Sequence, residues 1–380
     1  DSFIALAERA GLGGFLTEHV SWRSIFYITL PVGILAVMAA LFVVRESRDT
    51  TVGRKVDYAG VGIATISLTS LVLALIEGNS WGWDSTAVIS LIAVSIVSLV
   101  AFIVTENRVS APIIEFSLFK SRNFIGSVVV AFIISFAMMG VFFFLALYMQ
   151  NILGYSALEA GVRFLPTTLV IMVAAPISGR LADRIGPRWP IVVGMALIAL
   201  SLYLFSQITD GTTFSDVLPS FIILGAGIGL TMSPMSTAAM NAVPKTKAGV
   251  ASGVLSMFRM VGGTFGVAAL GALFQSEAKD RLASNPDAAL LSASDRSDFA
   301  HQLTGGAPHI DGVSAAQAKQ LIPIGHDAFI YGLTHAMTLS VGVAVVGVLV
   351  AFLMIGDKAE SIDEQTQEAA EIAEAASPVA

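Results

Sequence analysis

Gly179-Arg180-Leu181-Ala182-Asp183-Arg184-Ile185-Gly186-Pro187-Arg188 is the stretch that decides the fold of this chain. An apolar run from about Val170 leads into it, and Trp189 opens another. Three arginines and one aspartate within it are too polar for hydrocarbon, where each arginine costs ~2.5 kcal/mol or more. The stretch therefore reads as a short basic loop at a membrane surface, joining two spans.

Composition agrees. The chain of 380 residues is 55% hydrophobic and 13% charged, with a mean hydropathy of +0.79. Soluble domains carry about 25% charged residues, so this is a polytopic membrane protein. The net charge of −7 does not signal an acidic surface, because the acids gather in the C-terminal tail and one long loop. With no cysteine there is no disulfide framework or thiolate metal site. Asp1-Ser2-Phe3-Ile4-Ala5 has neither an initiator Met nor a basic n-region, and the chain reads as starting mid-protein.

A spanning helix needs about 20 apolar residues. Segments at 25–44, 57–77, 86–105, 124–150, 159–181, 189–207, 215–240, 248–275 and 330–356 qualify. The stretch before Trp22 reads as the end of another. Lys and Arg alternate along the connections: Arg45, Arg48, Arg54 and Lys55; Arg108, Lys120 and Arg122; the three arginines of 179–188; Lys245 and Lys247. The loops between them, 78–85, 151–158 and 208–214, contain no Lys or Arg. By the positive-inside rule the basic loops and the C-terminus face the cytoplasm. Residues 276–329 then form a long outer loop, with an amphipathic turn at 313–322. The tail 357–380 carries seven acids against Lys358 and reads as solvated.

The spacing Gly-Arg-x-x-Asp-Arg-x-Gly-x-Arg closely resembles the signature loop of the major facilitator superfamily, found between the second and third helices of a six-helix bundle. Counting from it, 124–150 is a first helix and 330–356 a sixth. Three spans precede them. Leu12-Gly13-Gly14-Phe15-Leu16-Thr17 and Ser21-Trp22-Arg23-Ser24 resemble the family's join between fifth and sixth helices, so 57–77 and 86–105 are an inserted pair. That arrangement is similar to the fourteen-helix drug:proton antiporters. Val56-Asp57-Tyr58-Ala59-Gly60, Asn79-Ser80-Trp81-Gly82-Trp83, Ala160-Gly161-Val162-Arg163-Phe164-Leu165-Pro166 and Met257-Phe258-Arg259-Met260-Val261-Gly262-Gly263 carry the likeness from about Gly11 to Gly356. One departure is Arg9-Ala10, where the antiporter pattern has Gly-Pro.

The expected architecture is all-α with the major facilitator fold. Residues 1–44 are a remnant of a first bundle, 45–123 the inserted pair with its linkers, 124–356 a complete six-helix bundle, and 357–380 the tail. The resemblance implies a proton-coupled antiporter in the bacterial cytoplasmic membrane, exporting a small hydrophobic substrate. Membrane lipid and protons are the implied partners, joined in a Gram-negative cell by a periplasmic adaptor and an outer-membrane channel. No cofactor, metal or nucleic acid is implied. Export of a natural metabolite, lipid or siderophore is a rival reading, as is a non-transporting fragment.

Candidate residues follow. By resemblance, Gly179, Arg180, Asp183, Arg184, Gly186 and Arg188 form a gating clasp, with Asp183 accepting from the next helix's first N–H groups and pairing with Arg180 or Arg184. Arg259 lies eleven residues into its helix, about 16 Å deep at 1.5 Å per residue. An ionisable group at that depth is functional by default. It either binds a partner such as Asn241 or Ser236, or merely bridges helices. Glu159 and Arg163 are spaced for an ion pair, a surface pair or an outer gate. Phe132, Phe136, Met139 and Phe143 make one helical stripe, either core packing or the wall of a drug cavity, for which Asn241 is a further candidate. Gly262 and Gly266 have the spacing that lets helix backbones approach closely. The five histidines show no metal spacing, and no Gly-rich phosphate loop is present. The sequence therefore offers no catalytic cluster, and an enzyme is the least favoured class.

Overall fold

The computed structural model describes residues 23–43, 57–109, 116–244, 247–285, 299, 303 and 315–356. The expectations for Arg9-Ala10, for residues 1–22 of the remnant 1–44 and for the tail 357–380 lie outside these. Ten α-helices are described: α1 Ser24–Val43, α2 Tyr58–Trp81, α3 Thr86–Glu106, α4 Arg122–Leu147, α5 Ala157–Arg163, α6 Leu165–Ile185, α7 Arg188–Phe205, α8 Phe214–Asn241, α9 Ala248–Ser284 and α10 Ala315–Met354. A 3₁₀ turn, Phe116–Lys120, precedes α4, and a π turn, Tyr148–Ile152, ends it. No strand occurs among the described residues. Eight helical stretches, all from α2 onward, are long and apolar enough to cross a membrane, with α5 and α6 forming one of them, Ala157–Ile185.

Helix starts are fixed by capping. Asp57 accepts from Gly60 N at 2.8 Å, Ser121 caps α4, and Ser156 with Glu159 forms a capping box at α5. Such caps satisfy N–H groups that lipid cannot.

The bundle is built around α8, which packs between α6 and α7. Helix α4 lies along α9, and α10 closes the bundle against α4, α7 and α9. Buried hydroxyls bind neighbouring backbones: Thr167 Oγ1 donates to Phe221 O at 2.9 Å, Ser178 Oγ to Gly229 O at 3.0 Å and Ser201 Oγ to Ser220 O at 2.7 Å. Phe144 stacks on Phe274 and Phe274 meets Phe329 edge to face, across α4, α9 and α10, with centroids 5.2 and 5.1 Å apart. Gly262 and Gly266 are buried against α4, where an added Cβ would overlap the carbonyl oxygens of Phe132 and Phe136. The small-residue spacing thus brings two backbones into contact, as expected. Helices α2 and α3 form a hairpin in which Ser67 Oγ donates to Ser95 O at 2.9 Å, and α2 leans on α9.

Three boundaries differ from the sequence reading. The signature stretch is not a loop, because α6 stays helical through Ile185 and only Gly186-Pro187 turns. Gly186 has φ +86°, a value glycine adopts without steric cost. The expected outer loop 276–329 shrinks, since α9 runs on to Ser284 and α10 begins at Ala315. Hydropathy registers only the part of a helix in hydrocarbon, whereas these helices project beyond it. Last, the single helix expected at 159–181 starts at Ala157 and is interrupted at Phe164, ahead of Pro166.

Candidate functional site

The signature residues divide between two hollows at one end of the bundle. The first, about 450 Å³, is lined by Ala182, Asp183, Arg184, Gly186 and Pro187 from the α6–α7 join, and by Thr237 and Asn241 from α8. Helices α6 and α8 meet closely just above it, where a Cβ on Gly179 would come within 3.1 Å of Ser233 Oγ. Arg180, Asp183 and Arg184 are exposed, and Asp183 makes no side-chain hydrogen bond or ion pair among the described residues. The expected clasp within the stretch is therefore not formed. Because α6 remains helical, Asp183 stays on its face, and Pro187 occupies the cap position of α7 with no side-chain bond to its N–H groups. Asp183 is left as an open acceptor beside Asn241. Asn241 itself belongs to this hollow rather than to the aromatic stripe or to Arg259.

Arg188 points the other way. Its guanidinium lies 4.6 Å from the Phe352 ring and 5.6 Å from that of Trp189. It helps line a second pocket of about 740 Å³, formed by the starts of α4 and α7, the α8–α9 connection and the end of α10.

At the opposite end, Glu159 and Arg163 do not pair through their charges. The Glu159 carboxylate is used in the capping box, accepting from Ser156 N at 2.9 Å. Arg163 instead donates to Glu159 O at 3.1 Å and lies 3.5 Å from the centre of the Tyr155 ring. A carboxylate in the first helical turn satisfies free N–H groups and the helix dipole together, so it is not available to the arginine one turn on. Tyr148 OH donates to Thr212 O at 2.9 Å at this same end, tying the end of α4 to the α7–α8 turn.

Arg259 is half-buried and makes no hydrogen bond or ion pair among the described residues. Neither Asn241 nor Ser236 partners it; the Ser236 hydroxyl donates to Met232 O at 3.1 Å. Next to it, Met260 is 76% exposed and borders an apolar hollow shared with α2.

The aromatic stripe splits. Phe136 is buried and Phe132 packs beside it and Phe265, whereas Met139 and Phe143 are 47% and 40% exposed. The contact between α4 and α9 follows the ridge Phe132, Phe136, Gly140, Phe144. An i, i+4 ridge turns about 40° per step on a helix of 3.6 residues per turn, and so winds away from Met139 and Phe143. Of the four, these two are the exposed ones.

Sequence reasoning missed two features. Arg281 and Asp327 form a two-point ion pair at 2.7 and 3.1 Å between the extensions of α9 and α10, hidden because both lay in the supposed outer loop. In the inserted pair, buried Glu106 and the capping Asp57 converge on Gly60, where a Cβ would fall 2.8 Å and 2.7 Å from their carboxylate oxygens. Asp57 and Gly60 stand in the 56–60 motif, but nothing in the sequence joins them to Glu106.

Similarity to known proteins agrees with this architecture. The family model described as Major Facilitator Superfamily matches residues 9–267. The tetracenomycin C resistance and export protein of Streptomyces glaucescens is 31% identical over 346 residues, covering 90% of this chain and 64% of that protein. The puromycin resistance protein pur8 of Streptomyces alboniger is 31% identical, covering 93% of this chain. The multidrug resistance protein Stp of Mycobacterium tuberculosis is 33% identical over 69% of this chain and 48% of its own length. The chain thus spans about half to two-thirds of these relatives. A crystal structure of a bacterial homologue of the human lysosomal transporter Spinster superposes with a TM-score of 0.50 at 17% identity, over 78% of this chain and 64% of that one. Helix order, the glycine-mediated packing of α9 on α4 and the basic turn at Gly186 all fit one conclusion: this chain belongs to the Major Facilitator Superfamily.

Proposed function

We propose that the whole protein is a proton-coupled secondary transporter that exports hydrophobic drug-like compounds, and that this chain supplies its second six-helix bundle and the inserted pair. The observation that carries the reading is the alignment of 90% of the chain with a relative named for resistance and export. Lys120, Arg122, Arg188 and Lys247 all line the pocket at the Gly186 end, and Arg180 and Arg184 flank the turn there. That bias supports a cytoplasmic position for this end and for the C-terminus, in a bacterial inner membrane. On this reading Asp183 is the open half of a gate, accepting N–H donors from the first bundle when the cytoplasmic side closes. Met139 and Phe143 face the cavity between the bundles.

Among the described residues, the acids of the six-helix bundle sit near its ends: Glu159, Asp183, Asp210, Asp216, Glu277, Asp280 and Asp327. None shares the depth of Arg259, which favours neutral or anionic cargo over cations. Export of a natural metabolite therefore stands as a second reading, in which Arg259 attracts an anionic group.

Inverted vesicles containing the protein at its relatives' length should accumulate puromycin or tetracenomycin C under an imposed pH gradient and lose the accumulation with a protonophore. Uptake that persists without the gradient would overturn proton coupling. Vesicles containing only these 380 residues should show no uptake, because the opposite cavity wall is not among them.

A further inference from the structure

Helix α10 is fixed at the Gly186 end, where Gly356 N–H donates to Asn123 Oδ1 at 2.6 Å. Counted back from Met354 at 1.5 Å per residue, His335 lies about 28 Å away, Tyr331 about 34 Å and Asp327 about 40 Å. A hydrocarbon core of ~30 Å therefore ends between His335 and Tyr331. Spaced four apart, the three stand one above another on the helix, and contacts join them into a ladder. Arg281 of α9 donates to both carboxylate oxygens of Asp327 and lies 5.2 Å from the centre of the Tyr331 ring. The Tyr331 and His335 ring centres are 4.1 Å apart, and His335 Nδ1 is 2.8 Å from Tyr331 O. A carbonyl only accepts, so Nδ1 carries the hydrogen and Nε2 of the neutral ring keeps its lone pair. Nε2 has no hydrogen-bond partner among the described residues, and His335 is half-buried.

We propose that His335 is a proton-binding site for the outer face, its Nε2 taking a proton from water at the Arg281–Asp327 end of the ladder. What the proton then does rests on the proposed proton-coupled transport; whether it binds does not. Histidine is the side chain whose ordinary change of charge falls between about pH 5 and 8. With the acids near the ends of the bundle, His335 is the residue at this end that lies just inside the core, where an ionisable group is functional by default. The Tyr331 ring suits both forms, by stacking on the neutral ring and by cation–π attraction to the imidazolium. Protonation also sets a second cation against a ring that Arg281 already approaches, so the joint between α9 and α10 feels it. The neighbouring titratable groups are few. Helix α9 adds Glu277, one turn inward of Arg281 on the same face, without a hydrogen bond or ion pair among the described residues; Lys279 and Asp280 beside it are exposed. His326, nine residues from His335, lies on the other side of α10. The nearer ends of α7 and α4 offer only Tyr203, which is 53% exposed, and Tyr148, which is bound to Thr212 O.

Two measurements test this on the protein at its relatives' length. In nanodiscs, with histidine labelled by nitrogen-15, His335→Gln identifies the His335 ring signals by difference. As the pH falls from about 8 to about 5, that ring should pass from the Nδ1–H tautomer to the doubly protonated form. A ring that keeps one form throughout would overturn the proposal, whether or not the protein transports. In inverted vesicles, whose lumen is the outer side, His335→Gln should lower puromycin uptake driven by an acidic lumen at least about tenfold. Exchange of labelled for unlabelled puromycin, which needs no net proton movement, should stay within about twofold of wild type, with the melting temperature unchanged. Loss of both activities would mark a structural residue, and retention of both a bystander; either result overturns the proposal. Wild-type exchange that ignores the pH gradient would sink proton coupling instead, and the ring titration would still decide whether His335 binds the proton.

Discussion

Replacing Gly266 with alanine places a methyl carbon against the backbone of α4. The added Cβ would lie 2.8 Å from Phe136 Cα, about 0.6 Å short of the 3.4 Å at which ordinary contact begins, and would overlap the Phe136 carbonyl. Gly262 makes the same encounter one turn earlier, with a Cβ 2.9 Å from Phe132 Cα. Backbone cannot swing aside as a side chain can, so α4 and α9 must part, at a cost of about 1–3 kcal/mol. Once they have parted for one methyl, the second meets less resistance. Gly262→Ala/Gly266→Ala should therefore cost clearly less than the two single changes together. Two internal controls exist. A Cβ at Gly263 comes nearest to Met139 Cγ, at 2.9 Å, with the backbone no closer than Ser135 O at 3.8 Å, and one at Gly271 meets nothing within 4 Å. Gly263→Ala should cost less than about 1 kcal/mol, and Gly271→Ala should be neutral or stabilising by up to ~1 kcal/mol through helix propensity. Unfolding in mixed micelles of dodecyl maltoside and SDS, followed by tryptophan fluorescence, ranks the four. If Gly266→Ala proves as stable as Gly271→Ala, the close approach of α9 to α4 is wrong.

Other perturbations separate transport from stability. On the proposed transport function, and in the protein at its relatives' length, Asp183→Asn should reduce drug transport at least about tenfold while changing stability by no more than ~0.5 kcal/mol, since Asp183 is exposed and holds no partner among the described residues; vesicle uptake and melting temperature are the two readouts. Phe136→Ala should destabilise by about 3–5 kcal/mol. Met139→Ala and Phe143→Ala, at 47% and 40% exposed, should be milder and should alter the range of compounds exported, as inhibitory concentrations across a drug panel will report. A double-mutant cycle on Arg281 and Asp327 should give a coupling of no more than ~1 kcal/mol that fades with salt, because the two side chains are 43% and 42% exposed.

The sequence made some of this legible. Arg180, Asp183 and Arg188 marked a membrane boundary because charge cannot stay in hydrocarbon, and Gly262–Gly266 announced a close approach because only small residues permit one. Where the helices stop was harder to read. Asp183 and Arg184 look like loop residues by composition, as do Glu277 and Asp280, yet a helix keeps its own hydrogen bonds after it leaves lipid. Period alone placed Phe132, Phe136, Met139 and Phe143 on one stripe. It does not reveal at what angle α9 crosses that stripe, so the division between packed and exposed members emerged only in three dimensions. The signature spacing groups Arg188 with Asp183; the turn at Gly186 sends them to different hollows.

The hydrogen bond from Gly356 N to Asn123 Oδ1 has a topological meaning beyond the pocket it borders. It places the entry and the exit of the six-helix bundle side by side on one face. A module whose ends meet can be copied in tandem, or spliced before another, without threading chain across the membrane. The helical hairpin Tyr58–Glu106 obeys the same parity: a pair of helices returns to the face it left, and is the smallest insertion that leaves every later span pointing the same way. Gene fusion and helix-pair insertion are thus cheap moves for this architecture, whereas gain of a single helix would invert everything downstream.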